Sequence, residues 1–553
     1  MTKTPAKSHY SVLIIGGGIN GCGTFRDLCL QGVDCLLIDK GDVCSGASAA
    51  PSRLIHGGIK YLETNEFRLV KESAMERNRL LRNAPHYVKS LEVVFPSKSW
   101  FGGMKDAISG YLGLGGRIKE RGALLVEIGL RIYDFYSRKV QALPDHRFYN
   151  KSALREDFPA ITREAVAAGL YHEGRVTHAE RLGLELILDG LAAQPGSALR
   201  TYTEVLGKPK GNSLTLKDSI TGETFAVTAD VVVNAGGAWI DKVNAGLGIA
   251  SHYMGGSRGA HLIVKHQGLM QALQGRMMYF GCKDGRFNLI YPFFGNALVG
   301  STDLPQADPD LASCTEEETD YLLSIVSEIF PDITLTRDDV ILTYCGVRPL
   351  PRANGKDIGD VSRDHSIGRD MLPGTKTPVL SLIGGKWTTF RAFSEQSCDV
   401  VLGLLGKSRK VSTVDMAIGG GRDYPKDDAS RAAFAGRLGE RGAQLLDRYG
   451  TRASDVQAFA ATTQDLPLAT LPGYSASEIA YICTSENVRR LADLLLRRTA
   501  ITMEGLLTSE AIQETAVIAG KVLGWSKARI AEEISHAEHE MQKRSVSRAR
   551  TAV

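Results

Sequence analysis

Two cationic side chains stand where the chain turns on glycine, and both residue types suit the binding of a phosphate ester. Arg348 follows a glycine turn and precedes Pro349, so its backbone is constrained and its guanidinium could hold a phosphate through two hydrogen bonds. Lys386 follows Gly384-Gly385 at the end of an apolar run, where an ammonium group could polarise a substrate oxygen. The alternatives are a structural ion pair for Arg348 and a solvated side chain for Lys386.

Histidine supplies a second kind of chemistry, because its ordinary pKa is near neutral and lets it take a proton from a hydroxyl group. His56 stands between a serine-rich stretch and Gly57-Gly58. His261 begins an apolar, strand-like run. The two histidines are competing candidates for a base, and the alternative for each is an ordinary structural histidine.

The run from Tyr10 to Asp39 predicts the elements that would hold a dinucleotide near these groups. An apolar strand leads into three spaced glycines, a helix follows, and a second strand ends at Asp39. Gly16 makes the tight turn, Gly18 lets the backbone approach a pyrophosphate, and Gly21 lets the helix lie close to the strand. Asp39 is placed to bind a ribose hydroxyl.

Three later features favour FAD over NAD. Serines at 45, 48 and 52 follow the acid and could hydrogen-bond a pyrophosphate and flavin, although a solvated turn would have the same composition. Apolar runs over 230–237 and 378–385 end in glycines, which can approach a flavin closely because they carry no side chain.

The remaining patterns predict an α/β protein of several domains. Helical periodicity indicates helices over 67–83, about 124–136 and 177–191, and the last begins with the spacing of a capping box, Thr177 to Glu180. The domains that we expect are a Rossmann-like FAD-binding domain within 1–407 (mainly 8–95, 140–250 and 340–407), an inserted, mainly antiparallel β substrate domain (mainly 251–340), a linker at 408–425, and a C-terminal α-helical domain at 426–545, with helical patterns over 428–449, 476–500, 508–523 and 526–541.

Composition and residue spacing argue against several classes of protein, namely nucleic-acid-binding, metal-binding and membrane-spanning proteins. The 553-residue chain has a net charge of +4, which gives no general argument for binding nucleic acid. Its nine cysteines are scattered without metal-ligand spacing, so we expect reduced thiols in a cytosolic protein and no metal site. Nothing before Tyr10 resembles a signal peptide, and no window holds about 18 uncharged apolar residues, so any membrane association should be peripheral.

Taken in order, these motifs resemble the family of FAD-dependent glycerol-3-phosphate dehydrogenases, from Tyr10 to about Lys543. The resemblance implies an oxidoreductase of glycerol metabolism that oxidises sn-glycerol 3-phosphate to dihydroxyacetone phosphate by hydride transfer to flavin N5. It also implies that the electrons pass to ubiquinone or another membrane quinone. The motifs that carry the resemblance are Ile15–Gly21, Arg53–Glu63, Glu66–Val70, Gly300–Asp303, Tyr344–Leu350, Gly384–Arg391 and Leu494–Thr499.

The resemblance also assigns site residues. Catalytic roles fall to His56, His261, Arg348 and Lys386, and substrate contacts to Lys60, Tyr61, His261, Arg348 and Lys386. The residues expected along the cofactor are Gly16, Gly18, Asn20, Gly21, Asp39, Lys40, Ser45, Ser48, Ser52, Leu54, Gly57, Gly58, Gly236, Gly384, Gly385 and Thr388.

Two departures from the family pattern bear on the identity of the substrate more than on the chemistry. Lys60 stands where the family usually has arginine. Lysine keeps the positive charge but lacks the planar guanidinium that can donate two parallel hydrogen bonds to a phosphate. The stretch over 97–125 is longer than in typical members. A longer polyol phosphate such as erythritol phosphate is therefore an alternative substrate. Because an oxidase branch of the family passes its electrons to oxygen, the resemblance also leaves an oxygen-using glycerophosphate oxidase as an alternative activity. An amine oxidase of this fold would not obviously need three cations, and an FAD-stabilised scaffold is the non-enzymatic alternative.

Two surface features complete the sequence-based expectations. Apolar and cationic residues alternate over 98–119, which favours a segment in a membrane interface, although a buried loop or a dimer contact would have the same pattern. We therefore expect a cytoplasmic enzyme held peripherally on the inner face of the cytoplasmic membrane, with a homodimer as a possible assembly. Four arginines on an apolar C-terminal helical run predict a solvated face; they are Arg489, Arg490, Arg497 and Arg498.

Overall fold

The structure is a computed structural model, and it describes residues 7–58, 66–104, 121–137, 142–352, 364–463 and 465–546. Its strands, in chain order, are β1 His9–Ile15, β2 Cys35–Ile38, β3 Leu54–Ile55, β4 Val88–Ser97, β5 Arg147–Asn150, β6 Ala167–Val176, β7 Ala198–Arg200, β8 Thr203–Val205, β9 Ser213–Asp218, β10 Thr224–Asn234, β11 Ser257–Val264, β12 Met277–Gly281, β13 Phe287–Phe293, β14 Asn296–Gly300, β15 Leu304–Pro305, β16 Val340–Arg348, β17 Ser366–Met371 and β18 Pro378–Ile383.

The helices surround two sheets and fill the C-terminal part of the chain. In chain order they are α1 Ile19–Leu30, α2 Phe67–Asn83, α3 Ala123–Ser137, α4 Lys151–Asp157, α5 Ala179–Ala193, α6 Ile240–Gly246, α7 Gln267–Leu273, α8 Glu316–Ile329, α9 Phe390–Leu404, α10 Asp428–Arg437, α11 Gly442–Tyr449, α12 Ala453–Ala460, α13 Ala476–Ser485, α14 Leu491–Asp493, α15 Ser509–Leu523 and α16 Lys527–Gln542.

The first sheet has a parallel centre in the order β18-β10-β1-β2-β7, with β17 antiparallel at one edge and β9 antiparallel to the start of β10. Its central strands are continuous apolar runs, as expected for strands that are covered on both faces. Helices α1, α5 and α9 pack together on one face of this sheet. The predicted Rossmann-like α/β fold is therefore confirmed.

The second sheet runs β15-β11-β14-β13-β12-β4-β6-β3, with β16 beside β11 and β5 beside β6. Its pairs are antiparallel except β4 with β12. Strands β3 to β6 and β16 come from stretches that the sequence assigned mainly to the cofactor domain. Periodicity identifies a strand but not its partner, and β4 joins this sheet through a strand that lies about 180 residues later.

The C-terminal helices α10 to α16 enclose a separate apolar core. The predicted helix over 428–449 is two helices, and α12 was not predicted. The glycine-rich stretch expected as a linker is packed against its neighbours: a Cβ on Gly420 would lie 1.9 Å from Tyr449 O. The Gly419 and Gly420 amides donate to Asp189 and Glu185 of α5. Glycine is required here because the two domains meet at backbone distance.

Two local predictions were wrong. Helix α5 begins at Ala179, and Glu180 accepts both terminal nitrogens of the buried Arg53 instead of capping the helix. The C-terminal arginines do not form a solvated face: their side chains are between 1% and 19% exposed, because acids elsewhere in the fold pair with them.

In the ranges that the structure describes, no helix is long and apolar enough to cross a membrane. Each of the nine cysteines lies in a described range, and each is a free thiol.

Candidate active site

The turn from β1 into α1 places backbone groups at the end of the parallel sheet. Gly16 has φ of +113°, and a Cβ there would lie 2.5 Å from Ala235 O. A Cβ on Gly21 would lie 1.9 Å from Gly16 O, so the helix could not approach the strand with any larger residue. At Gly18 the described residues place only Ser48 Oγ within 4 Å of the Cβ position, which leaves space at the N-terminus of α1 for an anion.

Asp39 directly follows β2, beside this turn. Its carboxylate accepts hydrogen bonds from the Gly17 amide at 2.6 Å and the Gly41 amide at 2.7 Å. Burial raises the pKa of the Asp39 carboxyl, while the two amides lower it. Each carboxylate oxygen keeps a free lone pair, so the fixed group fits the predicted contact with a ribose hydroxyl.

The serine-rich stretch folds back over the glycine turn. Ser48 Oγ accepts a hydrogen bond from the Ile19 amide at 2.9 Å, and its hydroxyl hydrogen is left to donate to a phosphate. Ser45 is exposed beside Gly41. Lys40 is half exposed and pairs with Asp310 at 2.5 Å, with its ammonium 4.5 Å from the centre of the Trp239 ring. The expected cofactor contact of Lys40 stays a prediction.

The glycines after β10 and β18 lie beside the glycine turn after β1, and together these segments form a glycine-rich cradle for a cofactor. Gly384 and Gly385 have φ of +76° and +93°, and Gly236 donates its amide to Asn234. The Asn20 amide nitrogen donates to Gly384 O at 3.3 Å, whereas its carbonyl oxygen is buried without a partner among the described residues. A free acceptor, open backbone at a helix terminus and a fixed carboxylate are groups that suit a flavin dinucleotide.

Residues 52–58 connect the two sheets. Ser52 Oγ lies 2.8 Å from His261 Nε2 on β11. The His56 amide donates at 3.1 Å to Oγ1 of Thr388, which lies in the segment after β18. Leu54, in β3 between them, pairs with Arg175 of β6. The structure thus brings the predicted residues Ser52, His56, His261 and Thr388 to one junction between the sheets.

His261 is buried and stacked on Tyr344, with ring centroids 4.9 Å apart and planes inclined by 11°. Burial, followed by the charge of Arg348, lowers the pKa of His261 from 6.5 to about 3. Its Nδ1 has no hydrogen-bond partner in the described part of the chain. The imidazole is therefore neutral near pH 7, and without a ligand it is a weak base.

Arg348 and His261 lie on the same face of the second sheet. Strand β11 pairs with β16 so that His261 is opposite Tyr344 and Ser257 is opposite Arg348. The guanidinium passes over Gly259, where a Cβ would lie 2.1 Å from it. It donates to Asp303 at 3.1 Å and to Thr302 O at 3.0 Å. The structural ion pair considered for Arg348 is thus present, and it fixes the guanidinium at the edge of the site.

Lys386 is half-buried and donates to Ser73 Oγ of α2 at 2.7 Å. It follows the glycine turn after β18, two residues before Thr388. Lys60 and Tyr61 lie outside the described residues, so their roles stay predictions.

A buried acid that was not predicted from the sequence lies behind His56-Gly57. Glu173 on β6 accepts the Gly57 amide at 3.0 Å, the Tyr133 hydroxyl at 2.7 Å and Arg77 at 2.9 Å. A Cβ on Gly57 would lie 1.9 Å from the Tyr133 hydroxyl. The signal in the sequence was an acid within a mostly apolar strand. Its partners could not be predicted because they lie 40 to 116 residues away along the chain.

Comparison with known proteins gives consistent matches. Residues 11–375 match the family described as FAD dependent oxidoreductase, and residues 411–530 match the C-terminal domain of alpha-glycerophosphate oxidase. The chain is 33% identical over 518 residues to a glycerol-3-phosphate dehydrogenase of Synechocystis sp., covering 89% of each protein. It is 30% identical over 544 residues to a glycerol-3-phosphate dehydrogenase of Pseudomonas tolaasii, covering 95% of this chain and 98% of the other.

A solved structure supports the fold. The glycerol-3-phosphate dehydrogenase from Bacillus halodurans complexed with FAD aligns with a TM-score of 0.75 at 21% identity, covering 98% of this chain and 96% of that one.

Proposed function

Because the chain belongs to the family of FAD-dependent glycerol-3-phosphate dehydrogenases, we propose that it oxidises the secondary alcohol of sn-glycerol 3-phosphate to dihydroxyacetone phosphate. FAD is the cofactor. The observation that carries the proposal is the shared sheet face of His261 and Arg348, which joins the glycine-rich cradle through Ser52 and His56. A group that can accept a proton and a group that can hold a phosphate therefore meet at one site.

The reaction removes a hydride from the alcohol carbon and a proton from its hydroxyl group, and it leaves a ketone. Bound FAD supplies the acceptor for the hydride. Arg348 binds the substrate phosphate, and Lys386 polarises the hydroxyl oxygen. His56 and His261 are the groups able to take the proton.

Substrate binding would itself prepare His261. The charge of Arg348 contributes to the low pKa of this histidine. A phosphate dianion bound to Arg348 would offset that charge and favour the imidazolium form, so the pKa of His261 would rise towards the range useful for a base.

Anaerobic bleaching of the bound flavin tests the substrate. We expect sn-glycerol 3-phosphate to bleach it rapidly, erythritol phosphate to do so more slowly, and glycerol to have no effect at equal concentration. Faster bleaching by erythritol phosphate would transfer the assignment to the longer polyol phosphate. Bleaching by unphosphorylated glycerol as fast as by its phosphate would contradict the role of Arg348.

We further propose that the electrons pass to a quinone at a membrane surface. An exposed apolar face supports this proposal, because Leu124, Ile128, Ile132 and Phe135 recur at helical spacing along α3 and are 37% to 66% exposed. Trp100 and Phe101 extend this apolar face: the Leu124 amide donates to Trp100 O at 3.2 Å, and Phe101 is 69% exposed. Residues 105–120, the centre of the predicted membrane segment, lie outside the described ranges.

Stopped-flow reoxidation of the reduced enzyme separates the acceptors. We expect a soluble quinone analogue to reoxidise the flavin much faster than air-saturated buffer does. Faster reoxidation by oxygen would favour the glycerophosphate oxidase alternative, and a dimer formed through α3 would account for the apolar face without a membrane.

A further inference from the structure

The C-terminal domain reaches the cofactor side of the fold through two consecutive arginines. Asp42 lies in the loop that follows Asp39, and its side chain is fully buried. It accepts Arg497 Nε at 2.6 Å and both terminal nitrogens of Arg498 at 2.7 and 2.8 Å. Two guanidinium groups thus converge on one carboxylate across 455 and 456 residues of sequence.

A local change of helix geometry makes this convergence possible. Helix α14 is followed by a π-helical turn over Leu494–Arg498, after which the Thr499 amide donates to Leu494 O. Such turns interrupt regular helices and are frequent at functional sites. Here the turn directs two adjacent arginines to the same acid.

The charges in this cluster are balanced, and each guanidinium has a second acceptor besides Asp42. Arg497 also donates to Asp493 at 2.6 Å, and Arg498 Nε donates to Glu486 O at 2.9 Å. Asp493 in turn accepts the Arg489 and Arg490 amides at 2.9 Å each. Although burial opposes ionisation of Asp42, the two guanidinium groups lower the pKa of its carboxyl, so two acids face two arginines.

The loop held by Asp42 is the one that covers the glycine turn. We call residues 39–48 the cofactor loop. It begins with the Asp39 carboxylate bonded to the Gly17 amide, continues with the Cys44 amide donating to Gly17 O at 2.9 Å, and ends with Ser48 Oγ on the Ile19 amide. A displacement of Asp42 would therefore move the groups that face the ribose and the pyrophosphate of FAD.

We propose that Arg497 and Arg498 are positioning residues for FAD, and that the C-terminal domain sets the affinity for the cofactor by holding the cofactor loop through Asp42. Neither arginine needs to touch FAD, because each acts through the carboxylate. Affinity depends on how well the loop is organised before binding, so a looser loop binds the same cofactor more weakly.

A matched interdomain pair allows this role to be separated from ordinary stabilisation. Arg489 donates its two terminal nitrogens to Asp218 of β9 at 2.7 and 3.2 Å, and the two side chains are 15% and 7% exposed. This pair also joins the C-terminal domain to the rest of the chain through a two-fold guanidinium–carboxylate contact. Among the described residues, neither side chain hydrogen-bonds to the cofactor loop, to Arg497 or to Arg498. Arg498→Lys and Arg489→Lys each remove a guanidinium that makes two hydrogen bonds to one carboxylate, and each keeps the positive charge, which favours folding of both variants.

The experiment compares the two variants as holoenzymes. Release of FAD is followed by the recovery of flavin fluorescence after dilution and during heating, and global unfolding is followed in parallel by circular dichroism. We expect Arg498→Lys to raise the dissociation constant of FAD about tenfold or more, and to release FAD at a temperature below that of global unfolding. In Arg489→Lys the two temperatures should fall together, with the dissociation constant within about twofold of the parent value.

Equal weakening of FAD binding in both variants would overturn the proposal, because the arginines would then only stabilise the domain contact. Unchanged FAD release in Arg498→Lys would also overturn it. If that variant does not fold, Asp42→Asn provides a second test from the other side of the contact, with the same expected separation of FAD release from unfolding.

Discussion

The Arg348 guanidinium and the Asp303 carboxylate form an ion pair of 3.1 Å at the edge of the candidate site, with side chains 23% and 34% exposed. This acid holds the cation in place and leaves part of it open to solvent. An incoming phosphate would compete with Asp303 for the same nitrogen, so the pair links substrate binding to a local exchange of partners.

Arg348→Lys should lower kcat/KM for sn-glycerol 3-phosphate about 10- to 100-fold, mainly through KM, because lysine cannot offer two parallel hydrogen bonds. Steady-state kinetics with a soluble quinone analogue measures this. Arg258→Lys is the matched control: Arg258 is on the same sheet but the opposite face, paired with Glu318 at 3.0 Å. A loss of equal size in the control would contradict the assignment.

Gly346→Ala should displace the serine-rich stretch, because the new Cβ would lie 2.7 Å from Ala50 Cβ. Overpacking of this kind costs about 1–3 kcal/mol of unfolding free energy. Adding Ala50→Gly removes the atom in conflict and should recover much of that loss, whereas Ala50→Gly alone should be mildly destabilising. Urea denaturation of the four proteins measures the coupling, and additive effects would disprove the contact.

Stability should fall as the pH decreases from 6.5 towards 3, in part because of His261. The folded protein binds a proton at His261 only near pH 3, whereas the unfolded chain binds it near pH 6.5, so acid favours unfolding over this interval. The loss of unfolding free energy due to His261 is zero above pH 6.5. Between pH 6.5 and pH 3 this loss grows by about 1.4 kcal/mol for each pH unit. His261→Gln should therefore lose less stability than the parent between pH 6.5 and 5, as measured by urea denaturation; an identical pH slope would refute this account.

Ile128→Glu on α3 should weaken binding to anionic liposomes several-fold, because a charge would enter the apolar face proposed to lie in the membrane interface. Leu311→Glu is the control, since Leu311 is 73% exposed and lies far from α3 in sequence. Co-sedimentation of the two variants with vesicles tests this. Equal binding by both variants would exclude α3 as the docking element, and a change in oligomeric state of the α3 variant alone would identify a dimer contact.

The sequence predicted what depends on neighbouring residues. The strand, glycine turn, helix and acid from Tyr10 to Asp39 are all present as expected, because each step follows from residues within about 30 positions. Helix α2 has its predicted bounds for the same reason.

The sequence could not predict contacts that join distant segments. Ser52 and His261 are 209 residues apart, and Asp42 and Arg498 are 456 residues apart. A helical sequence with arginines has the same pattern whether the arginines face solvent or a buried acid, because a distant acidic partner determines whether they are buried. The expected solvated face was wrong for that reason, and the same holds for the strands that joined the second sheet.

The order of strands has a consequence for synthesis of the chain. Strand β10 needs β18 as its neighbour, β4 needs β12, and the cofactor loop needs Arg497 and Arg498. When the ribosome has made the first 250 residues, neither sheet has all its strands, and the cofactor loop still lacks the arginines that bind Asp42. Because such distant pairings form slowly and leave strand edges open meanwhile, the nascent chain should depend on chaperones until almost its whole length has emerged.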